Sequence, residues 1–414
     1  MTSKRTFAIV GASLAGAKAA ETLRTEGFDG RVVLIGSETE EPYERPPLSK
    51  DFLRGEADRD ALHVHSSALY ADQDIELWLG RTVQDVDRPA QELLVDDGTR
   101  LRYDRLLLAT GSASRRLSIP GADLDGVLYL RTVEEAEHLR SRLQPGSTAV
   151  VIGAGWIGAE VAASARQRGV DVTVLDPASV PLEHVMGPEV GAVYRDLHAD
   201  HGVRLLMGTG VVAFEGTGAV ERVRTSDGQI LPCDFVVAGV GALPRTGLAE
   251  RAGLATDDGI LVDEHLQTSD PRVFAAGDVA HAFHPHYGHR IRVEHWANAL
   301  HQGPVAARSM LGAPAIYDRI PYFFSDQYDV GMEYVGHARQ WDRVVFRGAP
   351  ASREFIAFWM ARDRVVAGMN VNTWDVSDAI ADLIRARVAI DDRALADPEL
   401  PLTSLIHHRR ENVA

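Results

Sequence analysis

Short apolar runs that stop at glycines recur along the chain, and two of them are followed by the same pattern. Residues 149–152 read as a buried strand, Gly153, Gly155 and Gly158 follow in G-x-G-x-x-G order, and residues 159–168 have the composition of a helix. Residues 172–175 then read as a second strand, closed by Asp176. An earlier copy runs through a strand at 7–10, the turn Gly11-Ala12-Ser13-Leu14-Ala15-Gly16, a helix to about Glu26 and a strand at 32–35. Gly27 stands at the same offset from Gly11 as Gly169 does from Gly153. Strand followed by glycine turn, helix and second strand is the βαβ pattern of a parallel sheet covered by helices.

The glycines and the acid give the pattern a chemistry. The first glycine permits the tight turn out of the strand, the second lets backbone approach a pyrophosphate, and the third lets helix and strand pack closely. The phosphates then meet free N–H groups at the positive end of a helix dipole. Asp176 is placed to accept a hydrogen bond from a free ribose 2′-OH, and Pro177-Ala178-Ser179 after it supply no arginine for a 2′-phosphate. NADH is therefore expected over NADPH. Trp156, Ile157 and Glu160 share the helix start with the fingerprint. In the earlier copy Ser13 replaces the middle glycine, which leaves less room for a phosphate. Two such units in one chain suggest two dinucleotides and transfer of a hydride between them.

Composition narrows the field. A chain of 414 residues with 45% hydrophobic content has room for two or three domains with full cores. A net charge of −16 argues against a general nucleic-acid footprint. The single cysteine, Cys233, excludes an intrachain disulfide, a redox-active cysteine pair and a cysteine-ligated cluster. No apolar run approaches the ~18 residues that span a bilayer. The basic pair Lys4-Arg5 before an uncharged stretch mimics a signal peptide, but strand, turn and helix account better for the same residues. A soluble cytoplasmic protein is expected, with no membrane or nucleic-acid partner.

Further along, short strands are expected at 76–79 and 92–95, the second followed by a turn at 96–98, and residues 106–109 read as a buried strand ending in Thr110-Gly111. Strands are expected at 203–212, 220–225 and 235–241, with a hairpin turn at Asp227-Gly228. His281, His284, His286 and His289 have a spacing that could hold a metal, but without neighbouring acids or cysteines a solvated loop is expected, and no metal. Past Gly312 the pattern alternates: strands at 329–335, 343–347, 354–360 and 364–370, then a helix at 375–385, an antiparallel α+β unit. The tail from His407 is expected to fray.

Several segments carry a more specific likeness. Arg45-Pro-Pro-Leu-Ser-Lys50, Leu106-Leu-Leu-Ala-Thr-Gly111, Thr268-Ser-Asp-Pro…Gly277-Asp278, Glu294-His-Trp296 and Pro321-Tyr-Phe-Phe-Ser-Asp-Gln327 occur in this order. Together with the two fingerprints they resemble the flavin-dependent ferredoxin reductases that serve bacterial oxygenases. The resemblance covers nearly the whole chain. It implies an α/β fold of two Rossmann-like dinucleotide-binding domains, the two-dinucleotide or glutathione-reductase-like arrangement, with a C-terminal α+β domain. The FAD domain would be 1–110 and 232–312, the NAD domain 111–231, and the C-terminal domain 313–414.

The resemblance also assigns roles. It places Lys50 near flavin N5, Trp296 beside the flavin ring, and Arg131 reaching back to the flavin site. FAD would be held by Gly11, Leu14, Ala15, Gly16, Arg45, Val83, Ala109, Thr110, Gly111 and Glu294. Asp278 would accept from a ribityl hydroxyl, with a helix start after Gly277 facing the pyrophosphate. Ser37 stands where the family usually has the ribose acid, so Glu38 is expected to take that part. Gly241 would line the nicotinamide site. Leu48-Ser49-Lys50 is expected to open a helix with Ser49 as its cap, and Lys50 to meet Glu160. The implied activity is NADH-dependent reduction of FAD followed by single-electron transfer to a 2Fe–2S ferredoxin, by a monomer or weak homodimer. An NADH oxidase or peroxidase, or an apoptosis-inducing-factor-like NADH-binding flavoprotein, is the alternative. Arg292, Arg308, Arg339, Arg343 and Arg385 are candidates for a basic ferredoxin-docking patch.

Overall fold

The computed structural model describes residues 5–406, so Lys4 and the His407 tail lie outside the described residues. The chain forms two compact units. The first comprises residues 1–45, 59–113 and 242–321; the second comprises 46–58, 114–241 and 322–414.

In the first unit the run Thr6–Val10 is buried on both faces, as expected of a central parallel strand. It pairs in parallel with Arg31–Ile35 on one side and Arg105–Leu108 on the other, and Ile75–Trp78 and Val273–Ala275 complete a five-stranded sheet. The chain leaves the central strand first to one side and later to the other. That reversal is the switch point at which such sheets bind ligands. The Leu14–Thr25 helix packs on the Trp296–Leu311 helix, where a Cβ on Gly303 would lie 2.4 Å from Ala15 O.

The second unit repeats the design. Thr148–Ile152 lies between Asp171–Asp176 and Phe235–Ala238 in a second parallel five-stranded sheet. Gly27 and Gly169, the glycines at matching offsets, both adopt left-handed backbone, with φ of 83° and 79°, one residue past the C-caps Glu26 and Arg168 of their helices. The same unit holds an antiparallel sheet in the order Tyr322–Gln327, Val330–Gly336, Arg364–Val371, Glu354–Ala361 and Arg343–Ala349, with the Ser377–Ala386 helix after it. Residues 46–58 belong here too. Arg168 donates to Arg54 O at 2.8 Å, Ser164 Oγ donates to Ser49 O at 2.7 Å, and Leu53 is buried in the second unit's core.

Several local expectations are corrected. The second fingerprint helix begins at Trp156, earlier than expected, with Gly155 as its N-cap. The strand expected over 203–212 is two strands, Arg204–Met207 and Val211–Glu215, because Gly208 turns the chain at φ 71°. No helix follows Asp278. A single 3-10 turn, Gly277–Val279, leads into the strand Ala280–His284. The histidine segment is therefore not a loop. His281 and His284 stand on that strand, His289 on its hairpin partner His289–Ile291, and His284 is buried. Alternation of buried and half-buried positions along Ala280–His284 is the strand period that composition concealed. Among the described residues no group of three or more His, Cys, Asp or Glu is placed to hold a metal.

Candidate functional site

The second fingerprint is a strained turn with one open place. Gly153 has φ 98°, and a Cβ there would lie 2.4 Å from Gly239 O. A Cβ on Gly158 would lie 1.9 Å from Gly153 O. Gly155 differs: its backbone is ordinary, φ −74°, and a Cβ would meet nothing within 4 Å. The glycine is thus not required by the protein's own packing. The space beside it is the cradle that a pyrophosphate would fill. The Trp156–Gln167 helix has no side-chain cap and no acid in its first turn, and neither does the Leu14–Thr25 helix. Their first amides are left for an external anion. The residues therefore fit two dinucleotides.

Asp176 ends its strand against this turn. Oδ2 accepts from Ala154 N at 2.7 Å and Oδ1 from Ala178 N at 2.8 Å. These bonds fix the carboxylate while each oxygen keeps a lone pair for a ribose hydroxyl. Gly241 adopts φ 101° and its carbonyl accepts from Arg115 N. Arg131 lies in the second unit, just before the Val133–Arg142 helix, whose Thr132 and Glu135 form a capping box.

In the first unit Gly11 adopts φ 124°, and a Cβ there would lie 2.0 Å from Ala109 O. Thr110 Oγ1 donates to Arg245 O at 2.9 Å, and Arg245 N donates to Gly111 O. Glu38 is held by Tyr43 and by Arg45, the latter at 2.7 Å. Burial raises its carboxyl, but the Arg45 charge and the Tyr43 and Arg45 bonds outweigh burial and hold it below the usual carboxylate range. Ser37 stands beside it, and Val83 opens a short strand with its side chain buried. Gly277 N donates to the buried Gln302 Oε1 at 2.8 Å, which fixes the turn carrying Asp278. Glu294 is paired with Arg292.

The three expected catalytic side chains divide between the units. Trp296 opens the Trp296–Leu311 helix of the first. Lys50 and Glu160 both lie in the second, and they meet: Nζ to Oε1 is 2.9 Å, with Lys50 7% and Glu160 4% exposed. Ser49 does not cap a helix. It donates to Glu160 Oε2 at 2.5 Å, Ser325 donates to Oε1 at 2.7 Å, and Lys50 itself precedes the Asp51–Arg54 turn. Sequence reasoning missed Ser49's true partner and missed Ser325, Gln302 and Tyr43. All four act through contacts that no local motif announces.

Of the proposed docking arginines, Arg308 pairs with Glu26, Arg292 with Asp258 and Glu294, and Arg343 with Asp363 and Asp392. These three are already neutralised and do not form a bare basic surface. Cys233 is buried, and burial pushes its thiol up to about 12, so it is chemically quiet. Among the described residues no helix is long and apolar enough to cross a membrane.

Comparison with known proteins completes the description. The family described as "Pyridine nucleotide-disulphide oxidoreductase" matches residues 5–303, and "Reductase C-terminal" matches residues 322–406. Putidaredoxin reductase of Pseudomonas putida is 38% identical over 98% of both chains. The ferredoxin–NAD(+) reductase component of the anthranilate 1,2-dioxygenase system of Burkholderia cepacia is 41% identical over 97% of this chain and 99% of its own. The crystal structure of the covalent putidaredoxin reductase–putidaredoxin complex superimposes with a TM-score of 0.94 at 38% identity, covering 98% of this chain and 99% of that one.

Proposed function

The chain belongs to the pyridine nucleotide-disulphide oxidoreductase family, and we propose that it is an FAD-dependent NADH:ferredoxin reductase serving an oxygenase in the cytoplasm. The observation that carries this reading is a single helix, Trp156–Gln167. Its N-cap Gly155 leaves the open cradle, and its own Glu160 fixes the buried Lys50 cation. Cofactor binding and charge placement are thereby built on one rigid element.

The chemistry that a bound FAD would supply is acceptance of a hydride from NADH and release of the electrons one at a time. Everything else falls to the protein. The two uncapped helix starts bind the pyrophosphates. Asp176 takes the adenosine ribose of NADH, and Glu38, held ionised by Arg45, takes that of FAD. Asp278, fixed through Gln302, orients the ribityl chain. Lys50 would supply the positive charge that the resemblance places near the flavin, and Glu160 with Ser49 keeps that charge in place. Trp296 excludes water from the ring. The expected bounds of 1–110 with 232–312 for FAD shift: FAD falls to the unit of 1–45, 59–113 and 242–321, and NAD to the parallel sheet of the other unit, which includes Phe235–Ala238 and also holds residues 46–58 and the C-terminal sheet.

The acceptor is a ferredoxin, the partner named for one relative, and of the 2Fe–2S type that the sequence resemblance implies. A lone buried thiol offers no dithiol to intercept the electrons. The test is NADH-driven cytochrome c reduction with and without a 2Fe–2S ferredoxin over a salt series. Ferredoxin should accelerate the reaction, and added salt should slow it. If ferredoxin adds nothing at any ionic strength while oxygen or peroxide is consumed rapidly, an oxidase or peroxidase is the better description.

A further inference from the structure

Behind Glu160 runs a buried polar chain that no cofactor contact explains. Ser325 Oγ, 2.7 Å from Glu160 Oε1, is also 3.2 Å from Gln327 Nε2. Gln327 Oε1 is 2.9 Å from His198 Nε2, and His198 Nδ1 is 3.3 Å from the Tyr328 hydroxyl. Ser325, Gln327 and His198 are each at most 2% exposed. Ser325 and Gln327 stand two apart on the strand Tyr322–Gln327, so they share its inward face.

The donor–acceptor inventory gives this chain one direction. An ionised Glu160 only accepts, so the single Ser325 proton goes to it. The Ser325 oxygen is then an acceptor, and Gln327 must present its amide N–H₂ to it. Gln327 therefore turns its carbonyl to His198, which must carry its proton on Nε2 and accept from Tyr328 on Nδ1. Every donor points toward the carboxylate. In a dry interior such aligned bonds reinforce one another, whereas a half-satisfied chain is costly.

We infer that Ser325, oriented by Gln327 and His198, is a positioning residue that holds Glu160, and through it the Lys50 cation. This rests on the role given to Lys50 above. Ser49 fixes the other carboxylate oxygen, so the two hydroxyls together leave Glu160 a single orientation.

The experiment is stopped-flow reduction of the FAD-loaded protein by NADH, with the limiting rate and the NADH Kd taken from the concentration dependence. Ser325→Ala should lower the limiting rate about tenfold, the worth of one hydrogen bond to a charged group, while the Kd stays unchanged. Ser325→Thr, which keeps the hydroxyl, should restore most of it. Gln327→Glu, which keeps the shape but replaces a donor with an acceptor, should slow reduction more than Gln327→Met, the reverse of what packing alone predicts. Combined with Lys50→Ala, Ser325→Ala should add no further loss, because it acts through that cation. Flavin content and the visible flavin spectrum are read on every variant. If Ser325→Ala does not load FAD, the Gln327 pair decides alone: wild-type limiting rates in both overturn the inference. So does a Ser325→Ala loss that multiplies with that of Lys50→Ala. Wild-type rates in Lys50→Ala would overturn the Lys50 role itself. A slow Lys50→Ala beside a wild-type Ser325→Ala sinks only the Ser325 inference.

Discussion

Lys50 and Glu160 form a nearly dry ion pair, 2.9 Å from Nζ to Oε1, but the two charges are not equally supported. Glu160 keeps two hydroxyl donors if Lys50 is removed. If Glu160 is removed, Lys50 keeps the Pro46 carbonyl at 3.3 Å, the Phe324 ring at 5.5 Å and the charge of nearby Asp326, but no carboxylate in direct contact among the described residues. Removing one partner of a buried pair costs about 3–5 kcal/mol because the other charge is stranded. Glu160→Ala should reach that range in urea unfolding, and Lys50→Ala should fall below it. The opposite order would show that the hydroxyls do little for the carboxylate.

Gly155 and Gly158 should separate binding from folding. Gly155→Ala places a methyl in open space at an allowed φ, so stability should stay within about 0.5 kcal/mol of wild type. The methyl stands in the cradle, so the KM for NADH should rise roughly tenfold, about 1.4 kcal/mol of lost binding. Gly158→Ala puts Cβ on the Gly153 carbonyl and should fail to give folded protein. An unchanged KM in Gly155→Ala would remove the pyrophosphate from that place.

Asp176 should set the cofactor preference. The wild type is expected to favour NADH, since a carboxylate fixed by two amides repels a 2′-phosphate. In Asp176→Asn the kcat/KM for NADH should fall and the NADH-to-NADPH ratio should narrow about tenfold, the loss of one charged interaction. A ratio that does not move places the ribose elsewhere.

His198 should make the protein acid-sensitive. Burial pushes its imidazole down to about 4, and the Gln327 bond only partly opposes this. The folded state thus holds His198 neutral, while the unfolded chain protonates it near its ordinary value. Its contribution is complete above about pH 6.5 and is lost as pH falls toward 4, by roughly 3 kcal/mol in all. Urea midpoints at pH 7 and pH 5 should therefore differ more in the wild type than in His198→Asn. Equal differences would mean that another group carries the acid response.

Both βαβ units were legible before folding was considered. Strand, glycine turn and helix are local, and Gly27 and Gly169 could be matched by offset because each helix is closed by a left-handed residue just past its C-cap. Four of the five antiparallel C-terminal strands were legible, Tyr322–Gln327 being missed, and Asp176 was legible from its place at a strand end. Tertiary structure alone decided what each polar side chain does. Ser49 looked like a helix cap, whose oxygen would accept from a helix amide, but its hydroxyl instead donates to the buried Glu160 carboxylate. The segment after Asp278 looked like a helix start, but its alternating side chains found a strand partner at His289–Ile291. Ser325 and Gln327 lie in a segment that carries the resemblance and His198 does not, but none of the three shows its partner in sequence, because a buried polar atom must be satisfied by whichever group the fold brings to it, and those groups come from distant segments.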